Sequence, residues 1–262
     1  IKSVVVGGET FTLAQLKDAA YLAANTINTG EGTLTLTGYS GDAGDMSATI
    51  TYSYTLDSAQ THTQPGNDTT LSDSVVVTVN GVGGSSDTAN LTIDIIDDVP
   101  KATADGTQTV TEDGTTSVNG NVLSNDQYGA DGAHATPATA FSWDANGAAK
   151  AALAVYGTLL LNTDGTYSFA LDNASAAVQS LNASDVIEQT LTYRITDADG
   201  DSSPASVTIK IVGADDAAKV TVSAEGADST VYEAGLNPNG SAAAGNSETD
   251  SDSFQVSASD GI

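Results

Sequence analysis

Apolar and polar residues alternate with a period of two along most of this chain. Valine, isoleucine, threonine and tyrosine dominate these runs, and glycine, asparagine and aspartate interrupt them. This pattern predicts half-buried β-strands separated by tight turns, so the chain is expected to be all-β. The predicted strands are Gly32 to Thr37, Ala48 to Leu56, Ser74 to Val79, Ala89 to Ile96, Gly157 to Leu161, Thr166 to Leu171, Gln189 to Thr196 and Ala205 to Val212.

Two segments carry helical signals instead. Thr12-Leu13-Ala14-Gln15 has the spacing of a capping box at the start of a short apolar run. Asn173 is placed to cap a turn or two of helix that carries Val178 and Leu181. Both segments are expected to cover the core. Gly165, between two predicted strands, is expected to supply the left-handed position of a hairpin turn.

One stretch of the sequence occurs twice. Val77 to Asp98 aligns with Tyr193 to Asp216, with a two-residue insertion late in the second copy. The loop Asp197-Ala198-Asp199-Gly200-Asp201 of the second copy corresponds to Gly81-Val82-Gly83-Gly84-Ser85 in the first. The strand pattern survives although all three carboxylates are lost, so the fold does not require them. Carboxylate oxygens on a glycine-containing turn suit Ca²⁺, and a solvated acidic turn is the alternative.

The predicted elements form one complete set and two partial sets. Residues 99–214 have an opening segment, Val110 to Gly114, and closing strands, as in an immunoglobulin-like β-sandwich. Residues 1–98 hold closing strands without an opening segment, whereas residues 215–262 hold a matching opening, Val231 to Gly235. We therefore expect tandem immunoglobulin-like β-sandwiches, one intact and one split between the chain ends, as one period of a tandem array. The split halves are expected to pair head to tail between copies, and neighbouring repeats are the expected partners.

Composition narrows the function classes. The 262 residues include 34 acidic and 7 basic side chains, giving a formal net charge of −27, and most of the acids are aspartate. Such a charge argues against nucleic acid or an anionic membrane as partner and favours divalent cations. No apolar run approaches the length of a membrane span, so no membrane insertion is expected. Cysteine is absent, which excludes disulfides and thiolate zinc sites.

Sandwich topology predicts where the carboxylates meet. The turn between the last two strands lies at the end where the chain enters, so the Asp197–Asp201 loop should face the incoming segment. The carboxylates of this loop and those of the incoming Asp97, Asp98 and Asp105 would together enclose one or two Ca²⁺ ions, each with about 6 to 8 oxygen ligands. The outgoing Asp215 and Asp216 should face the carboxylate-free loop of a following unit, a weaker or ion-free joint. The predicted metal ligands are Asp97, Asp98, Asp105, Glu112, Asp113, Asp126, Asp197, Asp199, Asp201, Asp215 and Asp216.

The sequence gives little support for enzymatic activity or for a sugar-binding site. His62 and His134 are the two histidines, and neither has a nucleophile pattern beside it, so no enzymatic activity is expected. Trp143, with Phe141 and Tyr128 nearby, could form a sugar-stacking platform or, alternatively, serve the core.

Several motifs together resemble the extender repeats of giant RTX adhesins, of the VCBS-like and T1SS-143-like kinds, which type I systems secrete. The motifs are Asp97-Asp98-Val99-Pro100, Gly120 to Asp126, Gly129-Ala130-Asp131-Gly132, Tyr156 to Leu159, Thr196 to Asp201 and Val231 to Leu236. The resemblance implies immunoglobulin-like tandem domains on the bacterial cell surface, with Ca²⁺ at or near the linkers.

The function that follows is a calcium-stiffened stalk repeat. It would project a distal binding tip, whose ligand site is not in this segment, for surface attachment and biofilm formation. The alternative is a ligand-binding module of a secreted protein, which recognises carbohydrate or another surface.

Overall fold

The computed structural model describes residues 1–62, 71–222, 230–236, 238–241 and 249–259. These residues belong to two compact units. The first unit comprises Ile1–Thr103, Asn125–Ser142 and Arg194–Pro204. The second comprises Ala104–Ser124, Trp143–Tyr193 and Ala205–Ile262.

The first hundred residues form two antiparallel sheets and two short helices. The elements are β1 (Ser3–Val6), β2 (Glu9–Thr12), α1 (Leu13–Leu16), α2 (Ala19–Ala24), β3 (Ile27–Asn28), β4 (Gly32–Gly41), β5 (Ala48–Leu56), β6 (Leu71–Asn80) and β7 (Ser86–Ile95). The sheets have the strand orders β2-β1-β6-β7 and β3-β4-β5. β7 is thus the last strand of its sheet.

An apolar core lies among the described residues of this part of the chain. Alternate residues of β4 are buried, as the period-two pattern requires. Thr12 caps α1 in a complete capping box with Gln15, as predicted, and Leu16 is buried. The core residues are Val4, Val6, Phe11, Leu16, Leu22, Ile27, Leu34, Leu36 and Val75.

The following residues form two larger sheets and a small one. The elements are β8 (Gly106–Thr111), β9 (Ser117–Asn121), a 3-10 turn (Val122–Asn125), α3 (Pro137–Ala140), β10 (Phe141–Trp143), α4 (Gly147–Leu153), β11 (Gly157–Leu161), β12 (Thr166–Leu171), β13 (Val186–Thr196), β14 (Ser202–Val212), β15 (Lys219–Thr221), a second 3-10 turn (Glu233–Gly235) and β16 (Gln255–Ser257). The strand orders are β10-β13-β14-β8, β11-β12-β9 and β15-β16. β8 runs parallel to β14.

The core of the second unit follows the alternation on its strands. Leu191 and Tyr193 on β13 are fully buried, and so are Val207, Ile209 and Ile211 on β14. Other fully buried side chains of this unit are Val110, Val122, Leu153, Phe169 and Val178.

The all-β prediction is confirmed. β5, β11 and β12 begin and end at the predicted residues. Gly165 has φ +81°, as the hairpin turn requires. The split into domains at residues 98/99 and 214/215 stays a prediction.

The helix prediction was partly wrong. The segment after Asn173 forms consecutive turns instead of a helix. The Asn173 side chain is engaged with Asp113, whose Oδ1 it contacts at 2.7 Å, and is therefore not a helix cap. Val178 and Leu181 are nevertheless buried, so their predicted core role holds. Within the described residues, no helix has the length and apolar character needed to span a membrane.

Candidate metal centre

The loop between β13 and β14 closes as a tight turn that holds three carboxylates. The Asp197 amide donates to the Asp201 carbonyl at 3.0 Å. The Gly200 amide donates to Asp197 Oδ1 at 3.0 Å, and Gly200 has φ +111°, a conformation that L side chains rarely adopt. An antiparallel bridge between Ala133 and Asp197 holds this loop against a second one.

Two further segments of the first unit reach the same place. Asp97 follows the end of β7 by two residues. Asp131 lies between Gly129 (φ +91°) and Gly132 (φ +81°), so the backbone turns sharply on both sides of it. Asp98 Oδ2 accepts a hydrogen bond from the Ala130 amide at 2.9 Å, which ties the Asp131 loop to the segment after β7.

The carboxylates form two groups that share Asp199. One oxygen from each of Asp97, Asp199 and Asp201 lies within 4.8 Å of the other two. Asp131, Asp197 and Asp199 form the second group by the same distance. Five carboxylates thus converge from three stretches of chain. Such oxygen-only sets suit Ca²⁺ better than softer metals.

Several oxygens of these groups are buried without a hydrogen-bond donor. They are Asp197 Oδ2 and both carboxylate oxygens of Asp131 and Asp199. Asp197 itself is fully buried. A buried carboxylate oxygen with no donor is costly in the absence of a cation.

The electrostatics of the site show the same shortage of positive charge. Burial raises the pKa of Asp197 from its ordinary 3.8 to about 7, and the adjacent Asp199 carboxylate adds to the shift because it can accept a hydrogen bond only from a protonated Asp197. The charges of Asp199 and Asp131 act in the same direction, while the Gly200 amide opposes them. Burial, followed by the nearby Asp201 and Asp199, also raises the pKa of Asp97.

One histidine lies beside the first group. His62 is buried, and its Nε2 is 4.0 Å from Asp97 Oδ1. His62 and Asp97 also line a shallow pocket with Leu56 and Ile96. His134 is engaged locally, because its Nδ1 accepts a hydrogen bond from the Thr136 amide.

The structure brings four of the eleven predicted ligands into these groups, namely Asp97, Asp197, Asp199 and Asp201. Asp98 lies next to them and supports the Asp131 loop. Asp126 Oδ1 accepts a hydrogen bond from the Thr103 amide at 2.7 Å and so fixes the segment before β8.

The other predicted ligands lie in the second unit, where each accepts hydrogen bonds from residues of the same unit. Asp105 Oδ2 accepts from the Tyr193 hydroxyl, and Asp113 Oδ1 from the Asn173 side chain. The two Glu112 oxygens accept from the Gln179 side chain and the Ala214 amide. Asp215 Oδ1 accepts from the Ala183 amide, and Asp216 Oδ2 from the Ser259 hydroxyl.

Asp131 is a member of the second group that the ligand prediction missed. Its sequence distance from the Asp197–Asp201 loop hides their proximity. A signal was nevertheless present, because Ala130-Asp131-Gly132 repeats the Ala198-Asp199-Gly200 of the loop. In both tripeptides the glycine has a positive φ.

The corresponding loop of the repeated segment has the same turn without the carboxylates. The Gly81 amide donates to the Ser85 carbonyl at 2.8 Å, as the Asp197 amide does to the Asp201 carbonyl. Gly84 has φ +89°, as Gly200 has a positive φ. The backbone therefore closes equally well with glycine and serine, and the carboxylates are not needed for the turn.

The aromatic residues near Trp143 serve packing. The Trp143 ring meets Tyr193 edge-on with centroids 5.8 Å apart, and meets Tyr167 at 6.4 Å. Its indole N–H donates to the Asn162 carbonyl at 3.0 Å. Since Tyr167 and Tyr193 are buried, these contacts favour the core role of Trp143 over a sugar-stacking platform.

Comparison with known proteins agrees with this architecture. Residues 97–213, less than half of the chain, match the bacterial cadherin-like domain family. No curated protein matches the sequence. Together with the sheets described above, the family match shows a cadherin-like, immunoglobulin-like β-sandwich fold.

Solved cadherin structures are distantly similar. Protocadherin gamma B2 extracellular cadherin domains 1–5 share 14% identity over 80% of this chain and 36% of that one, with a TM-score of 0.35. Mouse clustered PcdhgC3 EC1-3 shares 15% identity over 73% of this chain and 55% of that one, with a TM-score of 0.28. Drosophila N-cadherin EC1-4 shares 13% identity over 80% of this chain and 49% of that one, also with a TM-score of 0.28. The chain thus spans between about a third and just over half of these structures.

Proposed function

We propose that this chain is a calcium-stiffened extender repeat of a bacterial cell-surface adhesin of the type I-secreted RTX kind. It has no catalytic role, and it holds a distal binding tip away from the cell for surface attachment and biofilm formation. The similarity of residues 97–213 to bacterial cadherin-like domains supports an extracellular adhesion module. In a tandem array, the neighbouring repeats are the partners of each copy.

One observation carries the calcium assignment. Asp131, Asp197 and Asp199 present buried carboxylate oxygens that have no hydrogen-bond donor. A divalent cation supplies the positive charge that these oxygens lack. The turn of the Gly81–Ser85 loop supports this assignment, because it forms without carboxylates and so leaves them no role in folding the loop.

Asp97 and Asp201, with Asp199, would hold one ion, and Asp131 and Asp197, again with Asp199, would hold a second. Asp199 would then bridge the two. Both ions would join the segment after β7 and the Asp131 loop to the β13–β14 loop. Fixing these three stretches would restrain the linker that begins at Asp97, which is the stiffening expected of a stalk.

The energetic scale suits a surface protein. Extracellular calcium modules have dissociation constants of about 0.1 to 1 mM. At one to ten times the dissociation constant, each ion stabilises the folded state by about 0.4 to 1.4 kcal/mol. Two ions are therefore enough to stabilise a local arrangement, while the apolar cores keep the sandwiches folded.

Calorimetric titration of the metal-free protein with Ca²⁺ tests the proposal. We expect saturable binding of two ions, and Asp199→Asn should weaken both steps by about tenfold or more because it removes the shared ligand. Asp164→Asn is the matched control. Asp164, like Asp199, precedes a glycine in a turn, but it is exposed and its carboxylate already accepts hydrogen bonds from the Thr166 amide and hydroxyl.

The control variant should bind calcium like the parent chain. Absence of saturable binding by the parent, or equal binding by the Asp199 variant, would overturn the assignment.

A further inference from the structure

The tail of the chain repeats a segment whose structural role is visible elsewhere. Thr230 to Gly235 and Thr109 to Gly114 share the pattern Thr-Val-x-Glu-x-Gly. The Gly114 amide donates to the Thr111 carbonyl at 3.3 Å, and the Gly235 amide donates to the Tyr232 carbonyl at 3.1 Å. Both segments therefore close a turn with a hydrogen bond between residues three apart, although Asp113 has φ +55° and Glu233–Gly235 forms a 3-10 turn.

Their surroundings differ completely. Val110 is 0% exposed and pairs with Ile211 in the parallel ladder of β8 and β14, whereas Val231 is 59% exposed. Glu112 is buried and accepts a hydrogen bond from the Ala214 amide, whereas Glu233 is exposed. The tail segment thus has the residues of a strand at a sheet edge, but its Val231, Tyr232 and Glu233 are exposed to solvent.

β7 offers the complementary feature. In the alignment of the repeated stretch, β7 corresponds to β14, with Ile95 in place of Ile211 and Ile96 in place of Val212. β14 has β8 as its parallel neighbour, but among the described strands β7 pairs with β6 alone. Ile96, at the end of this edge, is 64% exposed.

We propose that the free edge of β7 binds the Thr230–Gly235 segment of a second copy as an added parallel strand. The register transfers from the β8–β14 ladder, in which Lys210, Ile211 and Val212 lie opposite Thr109, Val110 and Thr111. The expected pairs are Asp94 with Thr230, Ile95 with Val231, and Ile96 with Tyr232.

This pairing would cover both exposed surfaces, the edge of β7 and the Thr230–Gly235 segment, in a single contact. Ile96 and Tyr232, each more than 60% exposed, become cross-strand neighbours and cover each other. The Glu233 amide donates to the Ile96 carbonyl, as the Glu112 amide donates to the Val212 carbonyl at 2.9 Å. Main-chain hydrogen bonds provide affinity, and the valine and tyrosine provide register.

Each copy carries one donor segment and one acceptor edge. The contact is therefore heterologous, and it propagates from copy to copy without closing. The inference rests on the tandem-array part of the proposed function, for which it specifies the edge, the strand direction and the register.

Complementation of two variants tests this proposal by analytical ultracentrifugation. The parent chain should associate into a concentration-dependent series. Val231→Asn removes the donor and Ile96→Asn the acceptor, and each alone should weaken association about tenfold or more, because burial of one such side chain accounts for that much. Mixed in equal amounts, the two variants should form a dimer that grows no further, since each retains one intact surface.

Val155→Asn is the matched control, because Val155 is 57% exposed and lies outside both surfaces. It should associate like the parent chain. A parent chain that stays monomeric, single variants that associate like the parent, or a mixture that fails to dimerise would each overturn the proposal.

The same measurements with Ca²⁺, with chelator and with Asp199→Asn separate this proposal from the calcium site. Association that persists without calcium, alongside no calcium binding, would leave the strand pairing standing while the calcium assignment fails. Calcium binding without association would leave the calcium site standing and overturn the strand pairing.

Discussion

Two aspartates of this chain show how strongly surroundings decide the chemistry of one residue type. Asp164 accepts hydrogen bonds from the Thr166 hydroxyl and amide, which lower the pKa of Asp164. Asp197 is buried next to Asp199 and Asp131, which raises its pKa to about 7. Both residues lie in turns that contain glycine, but only the Asp197 turn holds further carboxylates. The difference in pKa arises first from the burial of Asp197, then from Asp199 in the same loop, and last from Asp131, which is distant in sequence.

The raised pKa of Asp197 gives the metal-free protein a specific pH dependence. The folded state binds a proton more tightly than the unfolded state, whose ordinary pKa is 3.8. The stabilising effect of this proton is complete below 3.8 and disappears as pH rises through about 7. The free energy of unfolding of the calcium-free protein should therefore fall in this window, by up to about 1.4 kcal/mol per pH unit from this one group.

Urea unfolding at several pH values checks this expectation against Asp197→Asn. The asparagine keeps an oxygen for the Gly200 amide but has no proton to exchange, so its unfolding free energy should fall less steeply. Identical slopes for parent and variant would contradict the assigned pKa.

At the residue scale, the sequence predicted the Asp197–Asp201 loop and Asp97 as neighbours because sandwich topology places the last turn near the chain entry. It did not predict Asp131. The Asp131 loop reaches the site through the Ala133–Asp197 bridge and the bond from the Ala130 amide to Asp98. Such contacts depend on tertiary structure and leave no mark on local periodicity.

Among the elements, strands were predicted well and helices poorly. The strands of this chain bury alternate residues, so their period-two pattern is explicit in the sequence. α4 is different, because its N-cap Asn146 makes no side-chain capping bond and a glycine follows it. Its seven residues are held by the packing of Ala149 and Leu153. A helix that depends on tertiary packing gives no capping signal to detect.

The parallel pairing of β8 with β14 also could not be predicted from the sequence. Alternation shows which face of a strand is buried, but it does not identify the neighbour or the direction of pairing. The sequence led us to interpret the repeated Thr-Val-x-Glu-x-Gly segment as the opening of a domain, and in the structure its first copy begins on β8, the edge strand of its sheet.

The packing role of α4 gives a prediction at this scale. Leu153 is 0% exposed, so Leu153→Ala should destabilise the second unit by about 2 to 5 kcal/mol. Leu160→Ala is the matched control, because Leu160 on β11 is 56% exposed and should cost less than about 1 kcal/mol. Urea unfolding followed by the fluorescence of Trp143, the single tryptophan, reports on this unit. Equal midpoints for both variants would exclude a core role for α4.

At the scale of the whole molecule, the net charge of −27 determines how the converging carboxylates can be neutralised. The whole chain has 7 lysine and arginine residues, so protein cations cannot neutralise five converging carboxylates together with the remaining acids. Divalent cations from the medium can do so where the carboxylates are buried and close. The same charge opposes association between copies at low salt, so strand pairing should be measured near physiological ionic strength, where the Debye length is about 8 Å.

Calcium stiffening can be measured directly because the chain has no cysteine. Ser40 on β4 and Ser142 on β10 are exposed and belong to the first unit. Spin labels on Ser40→Cys and Ser142→Cys should give a narrower distance distribution with Ca²⁺ than with chelator, because the proposed ions would tie the segment after β7 to the β13–β14 loop. The labelled chain with Asp199→Asn should show the broad distribution in both conditions. A parent distribution that calcium leaves unchanged would mean that any bound ion does not restrain this linker, and the stalk function would lose its physical basis.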